Sequence, residues 1–118
     1  MNEYLQQIAD QFKSISYTTK SSVILYIDKA DDDTIVVRHN TRSNTYSALY
    51  RDVFGNLRSG RTCLATASEA IKALHTYMSR SVDFLCKKET ITDFEQEDIE
   101  LWSRAVRFLS KMMEVCHD

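Results

Sequence analysis

Residues 92–116 read TDFEQEDIELWSRAVRFLSKMMEVC, and apolar side chains recur along them at intervals of three and four. One series is Phe94, Leu101, Ala105, Phe108, Met112 and Val115, and a second is Ile99, Trp102, Val106, Leu109, Met113 and Cys116. This spacing keeps each series on one face of a helix with about 3.6 residues per turn. Together they form an apolar face too wide for one packing partner, so we expect a homodimer as well as packing within the chain. The predicted dimer interface is Trp102, Val106, Leu109 and Met113.

Two four-residue motifs predict where the C-terminal helices begin. Both Thr66-Ala67-Ser68-Glu69 and Thr92-Asp93-Phe94-Glu95 match the capping box, in which a threonine hydroxyl and a glutamate carboxylate satisfy backbone N–H groups. The helix after the first motif has a predicted buried stripe of Ile71, Leu74, Met78, Val82 and Leu85. Because only a short turn separates the two helices, we expect an antiparallel helical hairpin.

The region before these helices alternates strand patterns with turn residues. The predicted strands are residues 21–28, 34–38, 45–54 and 57–65, arranged as two antiparallel hairpins. Between the last two strands, Gly55 and Asn56 match a two-residue turn with glycine first, which would fix the register of the second hairpin. Counting back from this turn pairs Tyr50 with Arg61, Ala48 with Cys63 and Tyr46 with Ala65 on the core side.

The fold class predicted from these elements is α+β, in one domain over residues 1–118. It begins with an N-terminal helix over residues 2–15, which has one apolar stripe. A four-stranded antiparallel sheet of two hairpins follows, and the C-terminal antiparallel helical hairpin completes the domain.

Composition and cysteine usage predict a cytoplasmic protein. Of the 118 residues, 43% are hydrophobic and 27% are charged, which is typical of a globular domain. Residues 1–12 lack the pattern of a secretory signal, and the longest apolar run, residues 23–27, is far shorter than the ~20 residues of a membrane-spanning helix. Cys63, Cys86 and Cys116 are an odd, widely spaced set, so we interpret them as reduced thiols that pack in the interior.

The sequence carries no catalytic, metal or cofactor signature. His39, His75 and His117 lack the spacing of a zinc motif, and the two glycines, Gly55 and Gly60, cannot form a phosphate-binding loop. The run of three aspartates at residues 31–33 is interpreted as a turn, because no glycine stands where a calcium loop requires one. We therefore expect no enzyme activity, no metal and no cofactor.

Charge is segregated along the chain although the net charge is only −2. Residues 34–62 contain five arginines and one aspartate, whereas residues 91–118 contain seven acidic and three basic residues. The arginines fall with aromatic and aliphatic residues on the predicted outer face of the sheet, a composition enriched at binding sites. The predicted partner-binding residues are Tyr26, Arg38, Arg42, Arg51 and Arg58. In the alternative interpretation the first helix covers this face.

The stretch from Tyr46 to Met78 combines a strand, a tight turn at Gly55, a basic strand and a helix start at Glu69 and Ala70. It is loosely similar to the arm-binding domains of phage integrases and to plant DNA-binding domains built on a three-stranded sheet. The similarity covers about a quarter of the chain, and no family is assigned from it. The resemblance implies that Arg38, Arg51 and Arg58 contact bases or phosphates.

Two functions are therefore expected from the sequence. The first is a small non-enzymatic protein-binding factor, an adaptor or inhibitor of the kind that phages and mobile elements carry, acting through the basic and aromatic sheet face and the apolar C-terminal helix. The alternative is a DNA- or RNA-binding regulatory protein that uses Arg38, Arg51 and Arg58. A sequence pI near 5.9 and the acidic last helix disfavour the alternative.

Overall fold

The computed structural model describes residues 15–18, 22–26, 35–51 and 54–115. It contains five strands: β1 (Ile15–Thr18), β2 (Ser22–Tyr26), β3 (Ile35–Asn40), β4 (Thr45–Arg51) and β5 (Leu57–Leu64). Two helices follow them, α1 (Ala67–Cys86) and α2 (Asp93–Val115). Each strand pairs with the next in the chain, so the sheet is an antiparallel meander in the order β1-β2-β3-β4-β5.

The predicted fold class is wrong in its first half. Strands β3, β4 and β5 form a three-stranded antiparallel sheet that α1 contacts directly, and β2 and β1 extend it beyond β3. Ile15, expected to end the N-terminal helix, instead begins β1, where Ile15, Tyr17 and Thr18 are residue types that favour strands. The rest of the predicted helix, residues 2–14, lies outside the described residues, as do the aspartates at residues 31–33.

The second hairpin has a different register from the predicted one. Tyr46 pairs with Leu64, Ala48 with Arg61 and Tyr50 with Arg58, with irregularities on either side of Ala48. Five residues of β4 therefore span seven of β5, which means that β5 contains two extra, bulged residues. The first lies near Gly60, and the second lies near Cys63, whose φ is +58°. Bulges of this kind change the direction in which a strand's side chains point.

The turn of this hairpin is also longer than predicted. The last paired residues are Arg51 and Leu57, so residues 52–56 connect the two strands. The predicted two-residue turn is therefore wrong. Within this loop Gly55 has a φ of +79°, a conformation that favours glycine. The guanidinium of Arg51 donates a hydrogen bond to the Gly55 carbonyl at 3.1 Å, which ties the loop to the end of β4.

The core lies between the sheet and the helices. Its buried residues are Ile35, Val37, Tyr46, Ala48, Tyr50 and Leu64 from the sheet, Ala67, Ala70, Ile71, Leu74 and Met78 from α1, and Trp102, Ala105, Leu109 and Met112 from α2. Tyr46, Ala48 and Tyr50 thus lie on the core side, as predicted. Cys63 and Ala65 were expected there too, but both are exposed because the bulges displace them. Cys86 is exposed as well, so the packing role predicted for these thiols is wrong; Cys116 lies outside the described residues.

The C-terminal helical hairpin and both capping boxes are confirmed. The backbone N–H of Glu69 donates to the Thr66 hydroxyl at 3.2 Å, and the N–H of Glu95 donates to the Thr92 hydroxyl at the same distance. The helices run antiparallel, since His75 of α1 contacts Ser110 of α2 while Lys88 contacts Glu95. Within the described residues, neither helix is long and apolar enough to cross a membrane.

The sheet face that points away from the helices is partly covered. Val36 and Ser47 alternate with core residues along their strands, so they lie on this outer face, yet they are only 2% and 6% exposed. The outer face at these two positions is therefore not an open surface.

Candidate functional site

A cleft of about 460 Å³ opens where β5, α1 and the first turns of α2 meet. We call it the aromatic cleft, and its principal lining residues are Arg58, Tyr77, Arg80, Phe84, Asp98 and Trp102. Trp102 is buried at its base, whereas Phe84 of α1 is 70% exposed at its rim. An apolar side chain this exposed on a helix otherwise packed into the core marks a candidate contact surface.

Trp102 and Arg58 form the floor of the aromatic cleft, and the buried Tyr50 ring supports it from below. The Tyr50 ring lies edge-on to the Trp102 ring, with centroids 5.5 Å apart, and tilts against Tyr77 at the same distance. The guanidinium carbon of Arg58 lies 5.6 Å from the Trp102 ring centroid, within the range of a cation–π contact. Trp102 is fixed further by its indole N–H, which donates to the Arg51 carbonyl at 3.2 Å. The contacts at the floor therefore join four elements, β4, β5, α1 and α2.

The Tyr50 hydroxyl is held in its neutral form at this floor. Burial raises the pKa of Tyr50 above its ordinary value, and the neighbouring Tyr77 adds to the rise. The Arg58 guanidinium beside the hydroxyl opposes the increase in pKa. The phenol therefore stays neutral beside the Arg58 guanidinium.

A second depression of about 550 Å³ continues from the aromatic cleft along α1 toward its N-terminus. We call it the basic groove, and its principal lining residues are Arg61, Leu64, Glu69, Lys72, Tyr77 and Arg80. Tyr77 and Arg80 line both depressions, so the two form one continuous surface. Arg61, Lys72 and Arg80 are exposed, and within the described part of the chain none of them forms an ion pair.

The acidic residues of this surface already have partners in the fold. The Glu69 carboxylate accepts a hydrogen bond from the Ala65 N–H at 3.1 Å, at the start of α1. The Glu95 carboxylate pairs with Lys88 and accepts from the Thr92 N–H, and these contacts, the Lys88 hydrogen bond first, hold the pKa of Glu95 below its ordinary value. Asp98 is only 8% exposed. The exposed charges of the basic groove are therefore the cations of Arg61, Lys72 and Arg80 against the single carboxylate of Glu69.

A second group of exposed aromatic residues adjoins the cleft. Phe54, in the loop after β4, packs against Phe94, with ring centroids 4.8 Å apart, and both rings are largely exposed. Phe94 directly precedes Glu95, which lines the aromatic cleft. The exposed apolar surface therefore extends from Phe84 and Tyr77 toward this pair.

The structure separates the predicted partner-binding residues. Arg38 and Arg51 lie on the outer face of the sheet, whereas the longer turn places Arg58 on the helix-facing side opposite Tyr50. Arg42 is exposed in the turn between β3 and β4, and Tyr26 lies in β2 paired with Val36. The Nε of Arg38 is buried without a hydrogen-bond partner in the described part of the chain. A single surface containing Arg38, Arg51 and Arg58 does not form.

The predicted dimer residues divide into two groups. Trp102 and Leu109 lie in the chain's own core, 2% and 0% exposed, so neither presents surface to a second copy. Val106 and Met113 are half-buried at the edge of the same core. Val106 also lines a shallow depression of about 180 Å³ between the two helices. Homodimerisation stays a prediction, with Val106 and Met113 as its remaining surface residues.

Both described histidines have structural contacts away from the cleft. The His39 ring stacks on Tyr46 with centroids 4.4 Å apart, and its Nε2 lies 3.0 Å from the Asn44 side-chain oxygen. The Nε2 of His75 lies 2.9 Å from the Ser110 hydroxyl and so joins the two helices. His117 lies outside the described residues.

Sequence reasoning missed Tyr77, Arg80 and Phe84, the α1 residues that line the cleft. Tyr77 and Phe84 are seven positions apart and lie off the predicted buried stripe of α1. Two aromatic residues at this interval share a face of a helix. A short aromatic stripe beside the predicted buried stripe of α1 was therefore the signal that could have located the cleft.

Comparison with known proteins finds no matching family model, no similar curated protein and no similar solved structure.

Proposed function

We propose that the chain is a small non-enzymatic protein-binding factor, an adaptor or inhibitor, whose contact surface is the aromatic cleft. The observation that carries this proposal is the exposure of Phe84 and Tyr77 over a floor made of Trp102 and Arg58. Tyrosine, tryptophan and arginine are the residue types that dominate binding energy at protein interfaces. A contact site at this cleft replaces the outer sheet face expected from the sequence.

The proposal includes a cytoplasmic location, and a phage or mobile element remains the proposed origin. The two exposed thiols, Cys63 and Cys86, are free, which fits a reducing compartment. Homodimerisation through Val106 and Met113 is a separate part of the proposal, and light scattering at high micromolar concentration would test it.

A nucleic-acid-binding function is the second candidate from the sequence, and the structure offers it less support. Its three proposed contact residues, Arg38, Arg51 and Arg58, lie on two opposite faces of the sheet. Protein binding is therefore the function that the geometry supports best.

The test is affinity purification of the full chain from its native host, with quantitative mass spectrometry and a nucleic-acid assay of the same eluate. Three baits are compared: the unchanged chain, Phe84→Ser and Arg42→Gln. Phe84 is largely exposed, so its replacement should leave the fold intact, and Arg42 is an exposed control residue in the turn between β3 and β4. We expect a protein that is retained by the unchanged chain and Arg42→Gln but lost from Phe84→Ser. Equal recovery by all three baits, or recovery of nucleic acid instead, would contradict the proposal.

A further inference from the structure

We infer that the aromatic cleft and the basic groove together bind an extended acidic segment of a partner protein, with one apolar side chain of that segment in the cleft. The inference rests on the proposed function, because it names the chemistry of the segment that the protein-binding surface takes. Four observations support it: the sign of the accessible charge, the shape of the cleft, the length of the combined surface and the effect of the two bulges in β5.

The accessible charge of the basic groove is positive. Arg61, Lys72 and Arg80 are exposed and have no ion pair within the described residues, whereas the carboxylates of Glu69 and Glu95 are engaged by neighbouring groups. Although the whole chain has a net charge of −2, a local excess of cations in a depression attracts acidic side chains.

The two bulges in β5 bring Arg61 and Leu64 to this surface, on the same side of the strand as Arg58. In a regular strand, side chains alternate between faces, so Arg58 and Arg61 would point to opposite sides. The extra residue near Gly60 places both on the helix-facing side, Arg58 opposite Tyr50 and Arg61 opposite Ala48. A bulge that redirects a charged side chain toward a groove is a known use of this irregularity near binding sites.

The aromatic cleft has the size and lining for one apolar anchor. Its volume of about 460 Å³ lies within the ~300–1,000 Å³ of typical ligand sites. Leu85, Tyr77 and Phe84 provide its accessible apolar surface, and Trp102 lies buried at its base. A leucine, methionine or phenylalanine side chain would bury these surfaces, while acidic neighbours on the same segment would reach Arg80 and Arg61.

The length of the surface fits a short extended segment. Glu69 and Leu85 mark its two ends on α1, and a helix rise of about 1.5 Å per residue places them about 24 Å apart. An extended chain covers this distance with about seven residues at ~3.3 Å each. An acidic protein segment supplies both an apolar side chain for the aromatic cleft and carboxylates for the cations of the basic groove.

The test uses random peptides of about eight residues displayed on phage and selected against the intact chain. Selected sequences are synthesised without tryptophan, so that Trp102, the only tryptophan of the chain, reports binding through its fluorescence. Each peptide is compared with two counterparts: one has Asn and Gln in place of Asp and Glu, and one has Ala in place of the apolar anchor. A labelled DNA duplex is titrated in parallel at low salt.

We expect the selection to enrich Asp and Glu around one large apolar residue. Neutralising the acids should weaken binding roughly tenfold or more, since several charge pairs of modest individual strength are lost together. The double variant Arg61→Glu with Arg80→Glu should show a similar loss, whereas Arg42→Glu with Lys111→Glu, which has the same charge change outside the groove, should bind as the unchanged chain does. Thermal unfolding verifies that all variants fold.

The other outcomes separate this inference from the proposed function. Peptides that require Phe84 but show no acidic enrichment would overturn the acidic-segment inference and leave the protein-binding proposal standing. Selected peptides that bind independently of Phe84, Arg61 and Arg80, or no selected peptides at all, would overturn both. Groove-dependent binding of the DNA duplex without binding of acidic peptides would overturn both in favour of a nucleic acid.

Discussion

The guanidinium of Arg58 lies over the Trp102 ring, 5.6 Å from its centroid. Sequence patterns placed these residues far apart, Arg58 on the outer face of the sheet and Trp102 at a dimer interface. Their contact results from the longer connection between β4 and β5, which pairs Arg58 with Tyr50 on the helix-facing side, and from the packing of α2 against the end of β4. The same contact forms the floor of the aromatic cleft.

The Arg58 contact should contribute measurably to stability. We expect Arg58→Gln to lower the free energy of unfolding by about 0.5–1 kcal/mol, the range of an exposed cation–π contact. Urea unfolding followed by far-UV circular dichroism measures the change. Arg61→Gln is the matched control, because Arg61 is an exposed arginine of the same strand without a ring contact. Equal effects of the two substitutions would show that the ring contact contributes nothing.

The indole hydrogen bond of Trp102 provides a second stability test. In Trp102→Phe the Arg51 carbonyl loses its donor, so we expect the free energy of unfolding to fall by about 1–3 kcal/mol. Leu101→Met, on the same helix, removes no hydrogen bond and should cost less than about 1.5 kcal/mol. The comparison is made by chemical denaturation of both variants. A Trp102→Phe variant as stable as the unchanged chain would argue against this hydrogen bond.

The two capping threonines should each stabilise the start of their helix. We expect Thr66→Ala and Thr92→Ala each to lower the free energy of unfolding by about 0.5–2 kcal/mol, because each leaves a backbone N–H without its acceptor. Thr76→Ala, at an exposed position within α1, should change it by no more than about 0.5 kcal/mol. Thermal unfolding of the three variants tests this order, and an effect at Thr76 as large as those at the caps would contradict it.

The start of α2 should weaken in acid. The pKa of Glu95 is held below its ordinary value of 4.5, first by Lys88 and then by the Thr92 N–H. Because the folded-state pKa is lower than that of the unfolded chain, the stabilisation is present above pH 4.5 and is lost as the pH falls through the folded-state value. The measurement compares thermal midpoints of the unchanged chain and Glu95→Gln from neutral to acidic pH. The difference between them should narrow in acid, and a constant or widening difference would contradict this assignment.

Local sequence signals predicted the helical half of the fold well. The capping boxes at Thr66 and Thr92 and the buried residues Ile71, Leu74 and Met78 depend on contacts within a few residues, which periodicity and cap chemistry describe directly. The buried residues of α2 come from both predicted series: Ala105 and Met112 from the first, and Trp102 and Leu109 from the second. This is because α1 and the end of β4 contact the side of the helix where the two series adjoin. The apparent excess width of that apolar face therefore reflected mainly intrachain packing.

The sheet was harder to predict because its register depends on two irregular residues. Strict alternation from Gly55 assigned Cys63 and Ala65 to the core, whereas the bulges near Gly60 and Cys63 place Leu64 in the core and the exposed Arg61 on the same side of the strand. Gly60 was the available signal, since an isolated glycine in a strand often marks a bulge. The cleft depends on this register through Arg58, so its location could not be derived before the register was known.

The most direct test of the groove is to map which amides respond to a bound acidic peptide. The measurement is the change in backbone amide and indole NMR shifts of the isotope-labelled chain on titration with the strongest acidic peptide from the phage selection. We predict that the largest changes fall on Arg58, Arg61, Tyr77 and Arg80 and on the Trp102 indole. Changes confined to β3 and the turn around Arg42, with these groups unaffected, would contradict the account.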